Sequence, residues 1–292
     1  MAIVEQLDKD TAIAVEGAYH DAIINDNLIQ PIIYADKGDF QLGRAYYRRN
    51  KDVVKKGVFW SVTTIIENTI DKGYGFAKWL GDSPSHQHAM DYADKAATVG
   101  NIVHALVMML IWGKKIDTNK GFYDLRKQTK FPIGNKVKKR LMGFMQFCED
   151  HNPELLATEL SLYNDYNDNG KYRYEFAGQG DLFCRIDGKL YLIDVKTGKD
   201  YKTHSLQLTA YKILWDSLYG EEFGKIDKLA CLHLADTWRK KPTYKLKEYD
   251  FDPEAWYNTL DLFKWLHPVQ PKFIDELPTI YELKKEKKTD VR

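Results

Sequence analysis

Asp181, Asp194 and Lys196 are the residues whose types and spacing could do chemistry. They lie in the stretch GDLFCRIDGKLYLIDVKTG, positions 180–198, where two alternating runs flank Asp187-Gly188. That dipeptide between alternating runs predicts a two-residue type I′ hairpin turn, because both of its positions accept positive φ. The turn pairs Ile186 with Lys189 and, stepping outward along both strands, Asp181 with Asp194. The two carboxylates then share one face, with β-carbons about 4.5–5.5 Å apart. Lys196 sits two residues beyond Asp194 and projects from the same face. Opposed carboxylates repel unless something positive lies between them. A hard divalent cation suits such oxygen ligands, and Mg²⁺ or Mn²⁺ is the expected occupant. The lysine would orient or help deprotonate an attacking water and offset charge on a pentavalent phosphate. On the opposite face Leu182, Cys184, Ile186, Ile193 and Val195 read as core, so the hairpin is expected to bury one side only. The plainer alternative is a surface salt-bridge cluster on an amphipathic hairpin.

The neighbouring elements must hold that face in place. Residues 1 to about 30 read as amphipathic helix and residues 31–60 as irregular structure with short turns. Ser61 has the character of an N-cap for the helix SVTTIIENTI. Helical tracts follow over residues 85–112, stopped by Gly113, and over residues 133–150. After His151-Asn152-Pro153 the pattern changes to alternation rich in Tyr, Leu and Ile, and TELSLYND, KYRYEFAGQGDLFCRI and KLYLIDVKTG read as strands. HSLQLTAYKILWDSLYG is a helix ended near Gly220. KLACLHLA and TYKLKEYDF read as paired strands, and EAWYNTLDLFKWLH as a closing amphipathic helix. The pattern predicts a single domain over residues 1–292. Its parts are a mainly helical one (1–150), a sheet-bearing catalytic one (151–270) and a charged, solvated tail (280–292).

Composition sets bounds without choosing a function. The chain has 292 residues, 44% hydrophobic and 29% charged, an ordinary globular balance. No run approaches the roughly 18 uninterrupted apolar residues of a membrane span. The first residues lack a basic region followed by an apolar run, so a cytoplasmic location is expected. Cys148, Cys184 and Cys231 show no CxxC spacing, which argues against a disulfide framework, a structural zinc site or an iron–sulfur cluster and for single buried thiols. A net charge of only +1 gives no global field, so any nucleic-acid surface must be local.

The acid, the gap and the Asp194-Val195-Lys196 triplet resemble the motif of the PD-(D/E)xK nuclease superfamily. Further residues resemble its RecB-like exonuclease branch. Gln207 and Tyr211 match a QxxxY helix that follows the lysine strand, and Gly100 and His104 match a GxxxH-like element upstream. The SVTTII segment, Trp79 and the helix after it are similar to phage exonucleases and the mitochondrial genome maintenance exonuclease. The resemblance spans residues 61–211, about half of the chain. It implies an α/β restriction-endonuclease-like core, a mixed central sheet flanked by helices with a helical N-terminal extension. It implies Mg²⁺ or Mn²⁺ bound by Asp181, Asp194 and the carbonyl of Val195, helped by His104 and by Glu159 on the preceding strand. Lys196 would be catalytic, with Gln207 and Tyr211 positioning it and the DNA backbone. The implied activity is hydrolysis of DNA from its ends in phage or bacterial recombination, repair or replication, with a recombination protein as an accompanying partner. The iron–sulfur subgroup associated with CRISPR systems needs four cysteines, and this chain has three.

Two other readings stay open at this stage: a structure-specific endonuclease with the same site, and a non-catalytic DNA-binding accessory protein. Among weaker signals, His86 and His88 stand at i,i+2 and diverge on a helix. Lys136, Lys138, Lys139 and Arg140 could contact phosphate or form a solvated helix face. Tyr46, Tyr47, Arg48 and Arg49 form an aromatic-basic run that could meet unpaired bases.

Overall fold

The computed structural model describes residues 13–14, 29–32, 43, 45–49, 54–71, 73–124, 129–163 and 176–268. In chain order the elements are β1 (Ile13–Ala14), β2 (Ile29–Ile32), β3 (Ala45–Arg49), β4 (Val54–Ser61), α1 (Val62–Glu67), α2 (Tyr74–Asp82), α3 (His86–Ile111), β5 (Phe122–Asp124), β6 (Thr129–Phe131), α4 (Asn135–His151), β7 (Glu154–Tyr163), β8 (Phe176–Ile186), β9 (Lys189–Lys196), α5 (Thr203–Leu218), β10 (Lys228–Leu234), β11 (Tyr244–Tyr249) and α6 (Pro253–Leu266). This is a mixed α/β fold with a central mixed sheet flanked by helices.

The central sheet runs β11-β10-β9-β8-β4-β3-β2, with β7 on β8 as well. β8 pairs antiparallel with β9 and with β7, while β10 runs parallel to β9 through the crossover helix α5. Ala177 pairs with Tyr163 of β7 and with Ser61 of β4, which must therefore lie on opposite edges of β8. The edge that β9 occupies from Leu182 to Ile186 thus passes to β4 at Phe176 and Ala177, and the sheet opens between them.

Turn chemistry set the hairpin register as expected. Asp187 and Gly188 both have positive φ, at 49° and 74°, and Ile186 pairs with Lys189 and Leu182 with Ile193. The expectation of one buried face is corrected, because both faces are covered. Leu182, Cys184, Ile186, Ile193 and Val195 pack with Ile102, Val103 and Leu106 of α3 and Val137, Leu141 and Phe144 of α4. Phe183, Leu190 and Leu192, on the acid-bearing face, pack with Leu208, Leu214 and Trp215 of α5 and Trp256 and Phe263 of α6. Beyond Phe183 and Leu192 that face carries the acids and Lys196. Trp215 is fully buried and stacks on Phe183 with ring centroids 4.5 Å apart. Truncating such a residue to alanine costs about 3–5 kcal/mol.

Local signals account for the helix starts. Ser61 Oγ accepts the N–H of Thr64 at 3.0 Å and Ser85 Oγ that of His88 at 3.1 Å, while Asp252 caps α6 by accepting the N–H of Ala255. Among the described residues α3 is the one helix with the length and apolarity of a membrane span. Its apolar half, Ile102 to Met108, lies in the core against the sheet.

Two further expectations change, and one is not reached by the described residues. Residues 45–49 and 54–61, expected to be irregular, are strands β3 and β4. They pair antiparallel with each other, from Arg49 with Val54 to Ala45 with Trp60, and β4 joins β8 at Trp60 and Ser61, a long-range pairing that local alternation did not reveal. Within residues 1–30, expected to be helical, the described positions are the strand Ile13–Ala14 and the first two residues of β2, Ile29 and Gln30, and the remainder lies outside the described residues. The charged tail at 280–292 lies outside them too.

Candidate active site

The site forms where β8 and β9 part. The last ladder pair is Leu182 with Ile193. Beyond it, Asp181 Oδ2 accepts the N–H of Val195 at 2.8 Å, so a side chain replaces the next backbone acceptor. The backbone carbonyl of Asp181 accepts the hydroxyl of Thr158 at 2.7 Å, which fixes the residue from the β7 side as well.

Glu159 and His104 approach Asp181 from β7 and α3. Glu159 has φ 51°, a left-handed conformation uncommon for a residue that is not glycine. Its carbonyl accepts Gln179 Nε2 at 3.0 Å. Strain of this kind costs of order 1–3 kcal/mol and concentrates at functional sites; here it occurs where the Glu159 carboxylate meets the cluster. His104 Nδ1 lies 3.4 Å from Asp181 Oδ2 and 3.7 Å from Glu159 Oε1. All three side chains remain partly open to solvent, at 30% for His104, 22% for Glu159 and 13% for Asp181. One ligand atom from each lies within 4.8 Å of the others. Burial disfavours the charged form of His104, but Asp181, Glu159 and Asp194 outweigh it and raise the imidazole's pKa. The Asp181 carboxyl is also pushed up, first by burial and then by repulsion from Asp194 and Glu159, against the attraction of His104 and Lys196. Burial and like charge thus favour the protonated form of the Asp181 carboxyl when no cation is present. A divalent ion is the alternative positive charge, and two carboxylates with an imidazole form a fitting donor set for Mn²⁺ or Mg²⁺.

Lys196 and Asp194 form the second half of the site. Lys196 Nζ is paired with Asp194 Oδ2, and it donates to Gln207 Oε1 at 3.2 Å. Gln207 Nε2 in turn donates to the Tyr211 hydroxyl at 3.1 Å. Gln207 and Tyr211 stand one turn apart on α5 and so reach the strand as a unit. Burial lowers the pKa of Lys196, but Asp194 and Asp181 raise it by more, which holds the side chain as an ammonium. Asp194 is 2% exposed, and Cys231 Sγ donates to its Oδ2 at 3.8 Å. Two glycines allow close approach. A β-carbon at Gly178 would fall 2.3 Å from the buried ring of Tyr211, and one at Gly100 would fall 3.3 Å from Thr197 Oγ1.

No family model matches the chain, and no curated protein matches it. Among solved structures, a candidate exonuclease from Eubacterium rectale aligns over 72% of this chain and 79% of its own length, at 11% identity and a TM-score of 0.40. The protein SSO0001 aligns over 46% of this chain at 19% identity and a TM-score of 0.27, and the chain spans 59% of its length. Likeness at this level is slight, so the chemistry of the site rests on its own geometry.

The residues singled out in the sequence therefore fall into two linked groups, His104–Glu159–Asp181 and Asp194–Lys196–Gln207–Tyr211. Val195 contributes its N–H to Asp181 and buries its side chain. The Asp194 oxygen that is paired faces Lys196 and Cys231 rather than the His104 cluster. Of the basic run on α4, Arg140 bonds the carbonyl of Thr197 at 3.1 Å and Asp236 at 3.2 Å, and Lys139 donates to the carbonyl of Trp238 at 3.0 Å. Those two tie the loop after Lys196 and the β10 end to the helix. His86 and His88 are exposed at the start of α3, and Tyr46 is buried. Sequence reading missed Thr158, His204, His233 and Asp200. Thr158 is the threonine next to Glu159, and its only local signal is that adjacency. The other three meet through the β9–β10 pairing and the loop between Lys196 and α5.

Proposed function

We propose that the chain is a metal-dependent deoxyribonuclease of the PD-(D/E)xK type that removes nucleotides from DNA ends. The observation that carries this reading is the convergence of His104, Glu159 and Asp181 within ligand distance, beside Lys196 paired with the buried Asp194. A salt-bridge cluster on a solvated hairpin would not bury Asp194 or need a strained Glu159.

His104, Glu159 and Asp181 would hold Mg²⁺ or Mn²⁺, with Asp194 and the Val195 carbonyl at the β9 side. Bound there, the ion supplies Lewis acidity toward water and phosphate. Lys196, held as an ammonium by Asp194 and Asp181, offsets charge developing on the phosphate and orients water for in-line attack. A raised pKa suits it to that electrostatic role rather than to taking a proton. Gln207 fixes the direction of the Lys196 ammonium, and Tyr211 fixes Gln207. Hydrolysis would leave a 5′-phosphate, as the resemblance implies. Exposed Tyr74 and Tyr92, near Phe76 and Trp79 on α2 and α3, offer faces on which unpaired bases can stack.

The test is digestion of one DNA in linear and in covalently closed form with Mg²⁺ or Mn²⁺. Loss of the linear form alone is expected. Cutting of the closed circle would reassign the site to an endonuclease, and no cleavage of either would leave a DNA-binding role.

A further inference from the structure

A second cluster lies on the other side of Asp194. In the parallel β9–β10 pairing Cys231 stands beside Asp194 and His233 beside Lys196. His204, in the first turn of α5, closes over them. One ligand atom from each of His204, Cys231 and His233 lies within 4.8 Å of the others, with the two imidazole centroids 6.2 Å apart. Cys231 is fully buried, His204 is 9% exposed, and the His233 side chain is 15% exposed. His233 Nε2 is buried and has no hydrogen-bond partner among the described residues. An unpaired buried polar atom costs about 1–3 kcal/mol, so a group that engages this nitrogen would be favoured. Asp200 Oδ1 stands at the outer edge, 3.5 Å from His204 Nδ1 and 4.0 Å from His233 Nε2.

We propose that His204, Cys231 and His233 form a zinc site, with Asp200 at its outer edge. Two imidazoles and a thiolate are a borderline-soft donor set, which selects zinc over the hard ions suited to the His104 cluster. A tetrahedral zinc with bonds of about 2.0–2.3 Å spaces its ligands by about 3.4–3.8 Å, so the three side chains close by roughly an ångström on binding. Binding breaks the Cys231 S–H bond, forms a zinc–sulfur bond and releases the proton to solvent. Asp194 then loses its thiol donor and keeps Lys196. The ion ties the start of α5 to β10 alongside the strand that carries Lys196.

The experiment titrates Co²⁺ into the full chain after it has been stripped with a chelator. A thiolate-to-cobalt charge-transfer band with visible bands of tetrahedral intensity is expected, saturating at a single equivalent and bleached by Zn²⁺. Cys231→Ser should abolish the charge-transfer band, and His233→Ala should weaken cobalt binding by at least about 10-fold. Asp181→Asn should leave the charge-transfer band unchanged. Absence of the band, its survival in Cys231→Ser, or its loss in Asp181→Asn would each overturn the assignment. Should Cys231→Ser lack the circular dichroism of the folded chain, undiminished binding by folded His233→Ala would overturn it equally. The readout is independent of nuclease activity, so failure here and failure of the proposed reaction are separately visible.

Discussion

The N–H of Val195 donates to Asp181 Oδ2 at 2.8 Å, one step beyond the last backbone pair of the β8–β9 hairpin. One carboxylate thereby does two things: it terminates the ladder and presents its charge to His104 and Glu159. The two roles separate by substitution. In Asp181→Asn the side-chain carbonyl oxygen can still accept from Val195, whereas a neutral amide is a poor ligand for a hard cation. Asp181→Asn should therefore keep its thermal unfolding temperature in chelator while losing Mn²⁺ binding by calorimetry and at least about 100-fold in DNA hydrolysis. Retained Mn²⁺ affinity would remove Asp181 from the metal centre.

Gln207 links Lys196 to Tyr211 through two hydrogen bonds, at 3.2 Å and 3.1 Å. It acts through the lysine, as a positioning residue. Gln207→Ala should lower kcat about 10–100-fold with little change in KM, and Tyr211→Phe should lower it less. An increase in KM alone would assign Gln207 to substrate binding instead.

The backbone of β8 passes against the Tyr211 ring at Gly178, where a β-carbon would sit 2.3 Å from Cε1. Tyr211 is 3% exposed and has no room to retreat. Gly178→Ala should cost about 1–3 kcal/mol in denaturant unfolding. A variant as stable as the parent would show that α5 is free to shift.

Asp200 accepts hydrogen bonds from Lys247 and Tyr249 on β11, and these hold its carboxyl well below the usual carboxylate range. A carboxyl with a depressed folded pKa adds stability that is complete above its unfolded pKa of about 3.9 and is lost as pH falls toward the folded value. Asp200 is 36% exposed, so the effect is small. Asp200→Asn should lower Tm by about 1–3 °C at pH 7, a gap that narrows once pH drops below about 4. A gap that widens on acidification would contradict the arrangement.

What the sequence disclosed follows from the range of the interactions concerned. The Asp187-Gly188 turn is local, and it set the register from Ile186 with Lys189 to Leu182 with Ile193; the expected pair of Asp181 with Asp194 lies one step past the end of the ladder, where Asp181 turns to the N–H of Val195. The caps at Ser61 and Ser85 are equally local. The i,i+4 spacing of Gln207 and Tyr211 placed both on one side of α5. Hidden from local pattern were the relations made by distant pairing. β4 gains its place in the sheet from β8, and Asp194 meets Cys231 only because β10 lies parallel to β9. The burial of both hairpin faces followed from helices on each side of the sheet, so Phe183 and Leu192 were core residues on the face that also carries the acids. The cysteine spacing weighed cysteines alone, and that Cys231 stands beside His204 and His233 depends on α5 and on the β9–β10 pairing.

Hydrolysis of DNA by Lys196 and the neighbouring acids with a divalent ion is the reaction proposed for this site. Its most direct test is digestion of end-labelled linear single- and double-stranded DNA by the native chain and by Lys196→Ala, each in Mg²⁺, Mn²⁺ and EDTA. The prediction is loss of the label with metal, none with EDTA, and a fall of at least about 100-fold in the variant. Cleavage in EDTA, or cleavage undiminished in Lys196→Ala, would contradict it.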